Sequence, residues 1–308
     1  MKIGISELYT GMDGRDRQWM IQSAQLIEHL GFNSLWMSGR VLLFPEYDTQ
    51  HPYSAQNEIE SLRWVFDPLV ALPAISMVTK HIRLGSYVEL LSLREPLNTA
   101  RAVATADQMS GGRFDFGVGV GWLKQEHDAF GVAWETRGAR VTEYLQAMKH
   151  IWTSELSEFH GHFIDFPTCY VGPKPVQKPH PPICIGGNSP GAMKRLVSLG
   201  DRWIGYGLTV LEVAEFVEKL HADLETAGRD PAEVMLSIGI RFAGVDGARS
   251  SAKVDHSIWD DTLRYIEGIE KLGLDELVIS SRMPFDGYVD NMSIMAERLG
   301  VKPESQSA

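Results

Sequence analysis

The sequence predicts a single (β/α)8 barrel, an α/β fold in which eight parallel strands, each followed by a helix, close into a cylinder. Two patterns carry that expectation. Short β-branched runs alternate with longer segments whose apolar residues recur at helical spacing, and eight such strand runs fit in 308 residues. A third observation supports them: helical segments repeatedly stop at glycine, the residue that best tolerates the left-handed end of a helix.

In chain order, Lys2–Ser6 reads as the first strand. Residues 15–30 place Met20, Ala24, Ile27 and Leu30 on one helical face and stop at Gly31. Ser34–Met37 follows as a strand, then a long loop over residues 39–67. The apolar stretch from Leu69 to Val78 is about half a membrane span. Residues 82–88 and 113–120 read as the third and fourth strands. Residues 137–152 form a helix with Val141, Tyr144, Leu145, Met148 and Ile151 on one stripe. An excursion near residues 155–181, containing EFHGHFIDF, reads as a hairpin insertion. Strands are expected at 182–186, 203–206, 235–242 and 276–279. Helices are expected at 210–227, 259–272 and 288–299, ending at Gly228, Gly273 and Gly300. Residues 1–300 thus make one barrel domain and 301–308 a frayed tail.

The composition, 44% hydrophobic and 22% charged, is that of a globular enzyme and excludes disordered or repetitive classes. Twenty-nine basic against forty acidic residues leave a net charge of −11, which disfavours nucleic acid or an anionic membrane as partner. Two cysteines, Cys169 and Cys184, suggest free thiols and no disulfide framework. The first residues turn polar too early for a signal peptide, so a cytoplasmic location is expected.

In a closed barrel the chemistry gathers where strands end and helices begin. In FDFGVGVGW, Gly117, Gly119 and Gly121 share one pleat face, open either to close packing or to a flat ligand. In ICIGGNSP, strand residues run through Gly186, Gly187, Asn188 and Ser189 into Pro190 at a helix start. Helix N-terminal amides with a Ser hydroxyl suit a phosphate, although Ser189 also reads as an ordinary N-cap. In GSYVELLSLREP, Glu89 interrupts an apolar strand exit and faces either ligand or solvent, while Arg94 and Glu95 read as a surface pair. The aromatic loop 39–67, with Phe44 and Tyr47, suggests a pocket wall for a largely apolar substrate. His160 and His162 lack a third ligand at metal spacing, no lysine stands in a Schiff-base context, and no hydrolase or P-loop motif occurs.

Taken together, SGGR, GVGVGW, RGAR and GGNSP in this order, with the segments around them, resemble the luciferase-like monooxygenase superfamily and most closely its coenzyme F420-dependent branch. The resemblance implies a barrel binding F420, or alternatively FMN, at its C-terminal mouth, and commonly a homodimer. It implies a backbone bulge propping the ring at Tyr87, Val88 and Glu89, ring contacts from Gly119, Val120, Gly121 and Trp122, and a phosphate loop at Gly186 to Ser189. Many deazaflavin-using relatives carry an acidic residue followed by His at the end of strand two, where this chain has Ser38, Gly39 and Arg40. Sugar-phosphate-oxidising relatives carry Glu where Trp122 stands. Arg40, Glu89 and Trp122 are therefore the catalytic candidates, with Glu126, His127 and Tyr47 as further proton donors to test. The activity implied is hydride transfer between F420 and a small organic substrate. The alternatives are an FMN monooxygenase served by a partner reductase and a binding protein without turnover.

Overall fold

The computed structural model describes residues 1–7, 9, 16–46, 64–241, 256–280 and 287–303. Eight parallel strands close a barrel: β1 (Lys2–Glu7), β2 (Ser34–Met37), β3 (Arg83–Ser86), β5 (Phe114–Gly119), β8 (Ile183–Gly186), β9 (Arg202–Tyr206), β10 (Met235–Arg241) and β11 (Glu276–Ser280). Closure is complete, because β1 pairs with β2 on one side and with β11 on the other, while β3 pairs with β5 across the remaining gap. A two-residue strand, β4 (Glu89–Leu90), continues β3 along β5.

Around the barrel run α1 (Arg17–His29), α2 (Pro68–Ser76), α3 (Pro96–Ser110), α4 (Lys124–Ala129), α5 (Arg137–Thr153), α6 (Pro190–Leu199), α7 (Val210–Thr226), α8 (His256–Glu270) and α9 (Tyr288–Arg298). Most starts have a local cause. Asp16, Asp67, Glu95, Ser189 and Thr209 accept backbone N–H groups as N-caps, and Thr209 with Glu212 closes a reciprocal capping box. After α5 an antiparallel hairpin leaves the barrel, β6 (Leu156–His160) against β7 (Asp165–Tyr170). Its turn is fastened to α5 by Glu143, whose Oε1 accepts the amides of Phe163 and Ile164.

The strand pleat divides the interior into two regions. Outward residues such as Ile5, Leu35, Phe116 and Leu277 join the large core between sheet and helices. Inward residues Trp36, Cys184, Ile204 and Val278 fill the barrel beneath Tyr87 and Val88. At the N-terminal end of the strands the filling is ionic. Arg202 donates to Glu276 Oε2 at 2.5 Å, Glu276 Oε1 accepts from Ser34, and Arg83 grips Asp115 through two nitrogens. Trp36 Nε1 completes the chain on Ser34 Oγ at 2.6 Å. Each of these charges is therefore paired, as a low-dielectric interior requires. These inward charges stand at or beside the first residue of their strands, so this end of the barrel is a sealed plug and the C-terminal mouth is the end left for a ligand.

The strand over residues 82–88 is where expectation and structure differ most. It ends at Ser86, and only two residues resume pairing after an irregular step.

Candidate active site at the barrel mouth

That irregular step shapes the mouth. Gly85 pairs with Asp115 and Glu89 with Val118, so four steps along the β3–β4 segment face three along β5, a surplus of one residue. Ser86 repairs the ladder: its hydroxyl donates to the Gly117 carbonyl and accepts the Gly117 amide, both at 2.9 Å. The Tyr87–Val88 peptide is cis, and the Tyr87 amide donates to the Met37 carbonyl of β2 at 2.7 Å.

The glycines of β5 make room for this bulge. A Cβ at Gly117 would collide with the Ser86 carbonyl, and one at Gly119 would lie 2.6 Å from Val88 Cγ2. One at Gly186 on β8 would meet Val88 Cγ1 at 2.9 Å. The open glycine face that the sequence allowed is thus filled by the chain itself, and half-buried Tyr87 and Val88 supply the surface at the mouth in its place. Tyr87 reaches across the barrel to β10, where only a glycine at 239 leaves space for its hydroxyl. That oxygen is buried without a hydrogen-bond partner among the described residues, and burial pushes its pKa well up, so it stays a protonated donor. Gly121 turns the chain out of β5 with φ +77°, and a Cβ there would press on the His127 ring at 2.7 Å.

Glu89 is buried rather than solvent-facing. Arg94 Nε donates to its Oε2 at 2.6 Å and Arg94 Nη2 to Asp67 at 2.8 Å, while Oε1 has no partner among the described residues and lies against Gly39 just after β2. Burial raises the Glu89 carboxyl to about 7 against the pull of Arg94, and the nearby Asp67 adds to the rise. The expected Arg94–Glu95 surface pair does not form: Glu95 caps α3 through the amides of Leu97 and Asn98. Arg94 and Asp67 were not singled out as site residues from sequence, and the available signal was Arg94 standing five positions beyond the one carboxylate in an apolar strand exit.

Arg40 donates to Glu126 Oε2 at 2.9 Å and lies 5.1 Å above the Trp122 ring. Glu126, fully buried, also accepts the amides of Val41 and Leu42 through Oε1. The pair therefore fixes the turn after β2 against α4 and sets Arg40 upon Trp122. His127 is equally tied down: Nδ1 faces the Leu123 carbonyl at 3.1 Å, and Nε2 faces both the Val120 carbonyl and Ser92 Oγ. Phe44 is half-buried on the segment after Arg40, and Tyr47 lies outside the described residues.

At the loop after β8, Gly187 takes φ +109° and its amide donates to the Ile204 carbonyl. Asn188 Nδ2 donates to the Tyr206 carbonyl at 2.8 Å, which pins the loop to the end of β9. Ser189 Oγ accepts the Ala192 amide at 3.2 Å and so is the N-cap of α6. Its O–H still has a proton to donate, and it stands with the Gly191 amide at a helix N-terminus, which suits an anion. A capping role and a phosphate role are compatible at this residue. Among the described residues no group of three His, Cys, Asp or Glu is placed to hold a metal, and no helix is long and apolar enough to cross a membrane.

A closed α/β barrel with a bulge at strand three and a glycine-serine loop at a helix start leaves the C-terminal mouth as the place where a ligand can reach strand ends. The chain belongs to the luciferase-like monooxygenase family, whose model matches residues 3–247. An uncharacterised protein of Mycobacterium tuberculosis is 30% identical over 283 residues, spanning 91% of this chain and 92% of that one. The FMNH(2)-dependent dimethylsulfone monooxygenase of Pseudomonas putida is 35% identical over 179 residues, 57% of this chain and 47% of the relative. In fold, the chain resembles monooxygenase RslO1 from Streptomyces bottropensis, with TM-score 0.75, 22% identity and coverage of 97% and 98% of the two chains. It also resembles an F420-dependent secondary alcohol dehydrogenase, with TM-score 0.74, 18% identity and the same coverage.

Proposed function

We propose that this protein is an F420-dependent oxidoreductase that transfers hydride between the deazaflavin and a small, largely apolar organic substrate. The observation that carries the reading is Glu89: a buried carboxyl on the bulge, with a proton affinity near neutrality and one unpartnered oxygen. Hydride transfer to a carbonyl, imine or activated alkene needs a proton delivered at the same site, and a group titrating near neutral pH is suited to give it. Glu89 takes the place of the imidazole that many deazaflavin-using relatives carry at the end of strand two.

The residues fit the group. Tyr87 and Val88 offer a surface for a ring, the Tyr87 hydroxyl is a buried donor, and Trp122, lying under Arg40, would flank that ring. Gly119, Val120 and Gly121 would line the ring's edge, and Gly186, Gly187, Asn188 and Ser189 would hold the phosphate. When bound, F420 supplies two-electron hydride chemistry. Arg40, held on Glu126 and over the Trp122 ring, would orient Trp122 against a bound ring. Aromatic residues after β2, Phe44 and Tyr47, would exclude water from the substrate side.

A second reading is FMN-dependent monooxygenation with a partner reductase, favoured by the 35% identity to the FMNH(2)-dependent enzyme. Anaerobic oxidation of reduced F420 by a panel of enones, imines and ketones separates the two. The proposal expects turnover without oxygen, with a pH limb near 7 that Glu89→Gln abolishes. Turnover only with reduced FMN and oxygen would overturn it. By the family's habit we also propose a cytoplasmic homodimer.

A further inference from the structure

Arg195 on α6 is a buried cation, only 8% exposed, and no carboxylate among the described residues pairs with it. The other interior arginines do have one: Arg202 pairs with Glu276 and Arg40 with Glu126. Arg195 has neutral partners instead. Its Nε donates to Thr142 Oγ1 at 3.2 Å and its Nη2 to the Gly138 carbonyl at 3.1 Å, both on the first turns of α5. Its Nη1 makes no hydrogen bond among the described residues. Burial pulls the guanidinium below the ordinary arginine range, and no acidic group opposes the fall. A desolvated charge without a counter-ion is costly, so the missing negative charge points to a ligand.

The place where that ligand would lie follows from helix geometry. Helical side chains lean toward the N-terminus and cover the turn before their own Cα. Arg195 therefore lies over Gly191 and Ala192, about 6 Å nearer the start of α6 at roughly 1.5 Å per residue. Gly191 leaves the way open, since the nearest atom to a Cβ there is Ser189 Oγ at 3.9 Å. On the facing helix a Cβ at Gly138 would lie 3.4 Å from Arg195 Nη2. Gly138 is the second residue of α5, a helix that begins without a side-chain cap. The guanidinium thus stands between two helix starts, with glycine on either side.

We infer that Arg195 is the cation that binds the cofactor's phosphate, with the Gly191 amide and the Ser189 hydroxyl as neighbouring donors. The inference rests on the phosphate loop of the proposed function but not on the choice of cofactor, because F420 and FMN both carry a phosphate ester beyond the ribityl chain. A guanidinium already held at two points keeps its remaining donors oriented for phosphate oxygens.

Equilibrium titrations followed by ligand fluorescence test it with two pairs: F420 and its phosphate-free deazaflavin nucleoside, and FMN and riboflavin. The proposal expects Arg195→Gln to weaken the phosphate-bearing member of whichever pair binds by about tenfold or more, the loss of a charge-assisted hydrogen bond. The phosphate-free member should bind as it does to the wild type, and Arg195→Lys, which keeps the charge, should retain most of the preference for phosphate. Equal weakening of both members, as loosened packing between α5 and α6 would give, overturns the inference. Unchanged binding of the phosphate-bearing member to a folded Arg195→Gln chain overturns it too. If neither pair binds, the proposed function fails and inorganic phosphate decides the inference alone. A rise in the Tm of the wild-type chain that Arg195→Gln lacks supports it, and no rise in the wild type overturns it.

Discussion

Replacing Glu89 by Gln isolates the one carboxyl whose environment the barrel mouth changes most usefully. The folded protein holds the Glu89 proton up to about 7, against an ordinary value of 4.5. Between these values the folded chain binds a proton that the unfolded chain has released, so stability falls as pH rises through the window. Each pH unit of difference is worth about 1.4 kcal/mol, which makes the full effect roughly 3 kcal/mol, of which about 2.5 kcal/mol falls between pH 5 and pH 8. Gln keeps the shape and an oxygen for Arg94 but has no proton to lose. Urea denaturation at a series of pH values should therefore show the wild-type chain losing about 2.5 kcal/mol more than Glu89→Gln across that range. Parallel curves for the two chains would refute the assignment of a near-neutral carboxyl to this position.

Three further outcomes follow from the same geometry. Arg40→Ala strips the cation from fully buried Glu126 and should cost about 3–5 kcal/mol by denaturation, while Arg40→Ala with Glu126→Gln should recover much of it because the Val41 and Leu42 amides keep an acceptor. Gly187→Leu places a side chain at φ +109°, so cofactor binding followed by fluorescence should vanish while circular dichroism stays that of the wild type. Ser189→Ala removes the cap of α6, worth about 1 kcal/mol of stability, and should also weaken cofactor binding about tenfold or more through the lost hydroxyl donor.

The barrel was legible because strands and helices impose different periods on apolar residues, and seven of the eight strands begin and end within a residue or so of where that change of period puts them. α2 was less so, since PLVALPAIS is apolar on every side and carries Pro73 inside it. α3 is rich in Ala and Thr and has no strong apolar stripe. The break in strand three could not be read from spacing, because the residues of the bulge are as apolar as those of a strand, and it reached the sequence reading only through family resemblance. The ionic plug was invisible for another reason. Arg83, Asp115, Arg202 and Glu276 lie far apart in sequence, and only closure of the barrel brings them together. At the mouth, the glycine pattern was visible, but its cause, room for Ser86 and Val88, belongs to the fold. Similarly, Glu89 was recognisable as an anomaly with Arg94 five positions on, whereas its near-neutral titration depends on burial and on Asp67, which no local pattern supplies.

The most direct test of the central claim is a parallel equilibrium titration of the purified chain with coenzyme F420 and with FMN, followed by tryptophan and cofactor fluorescence. The account predicts saturable binding of F420 at one per chain, about tenfold or more tighter than FMN and lost in Gly187→Leu. Preferential binding of FMN, or binding of neither, would contradict it.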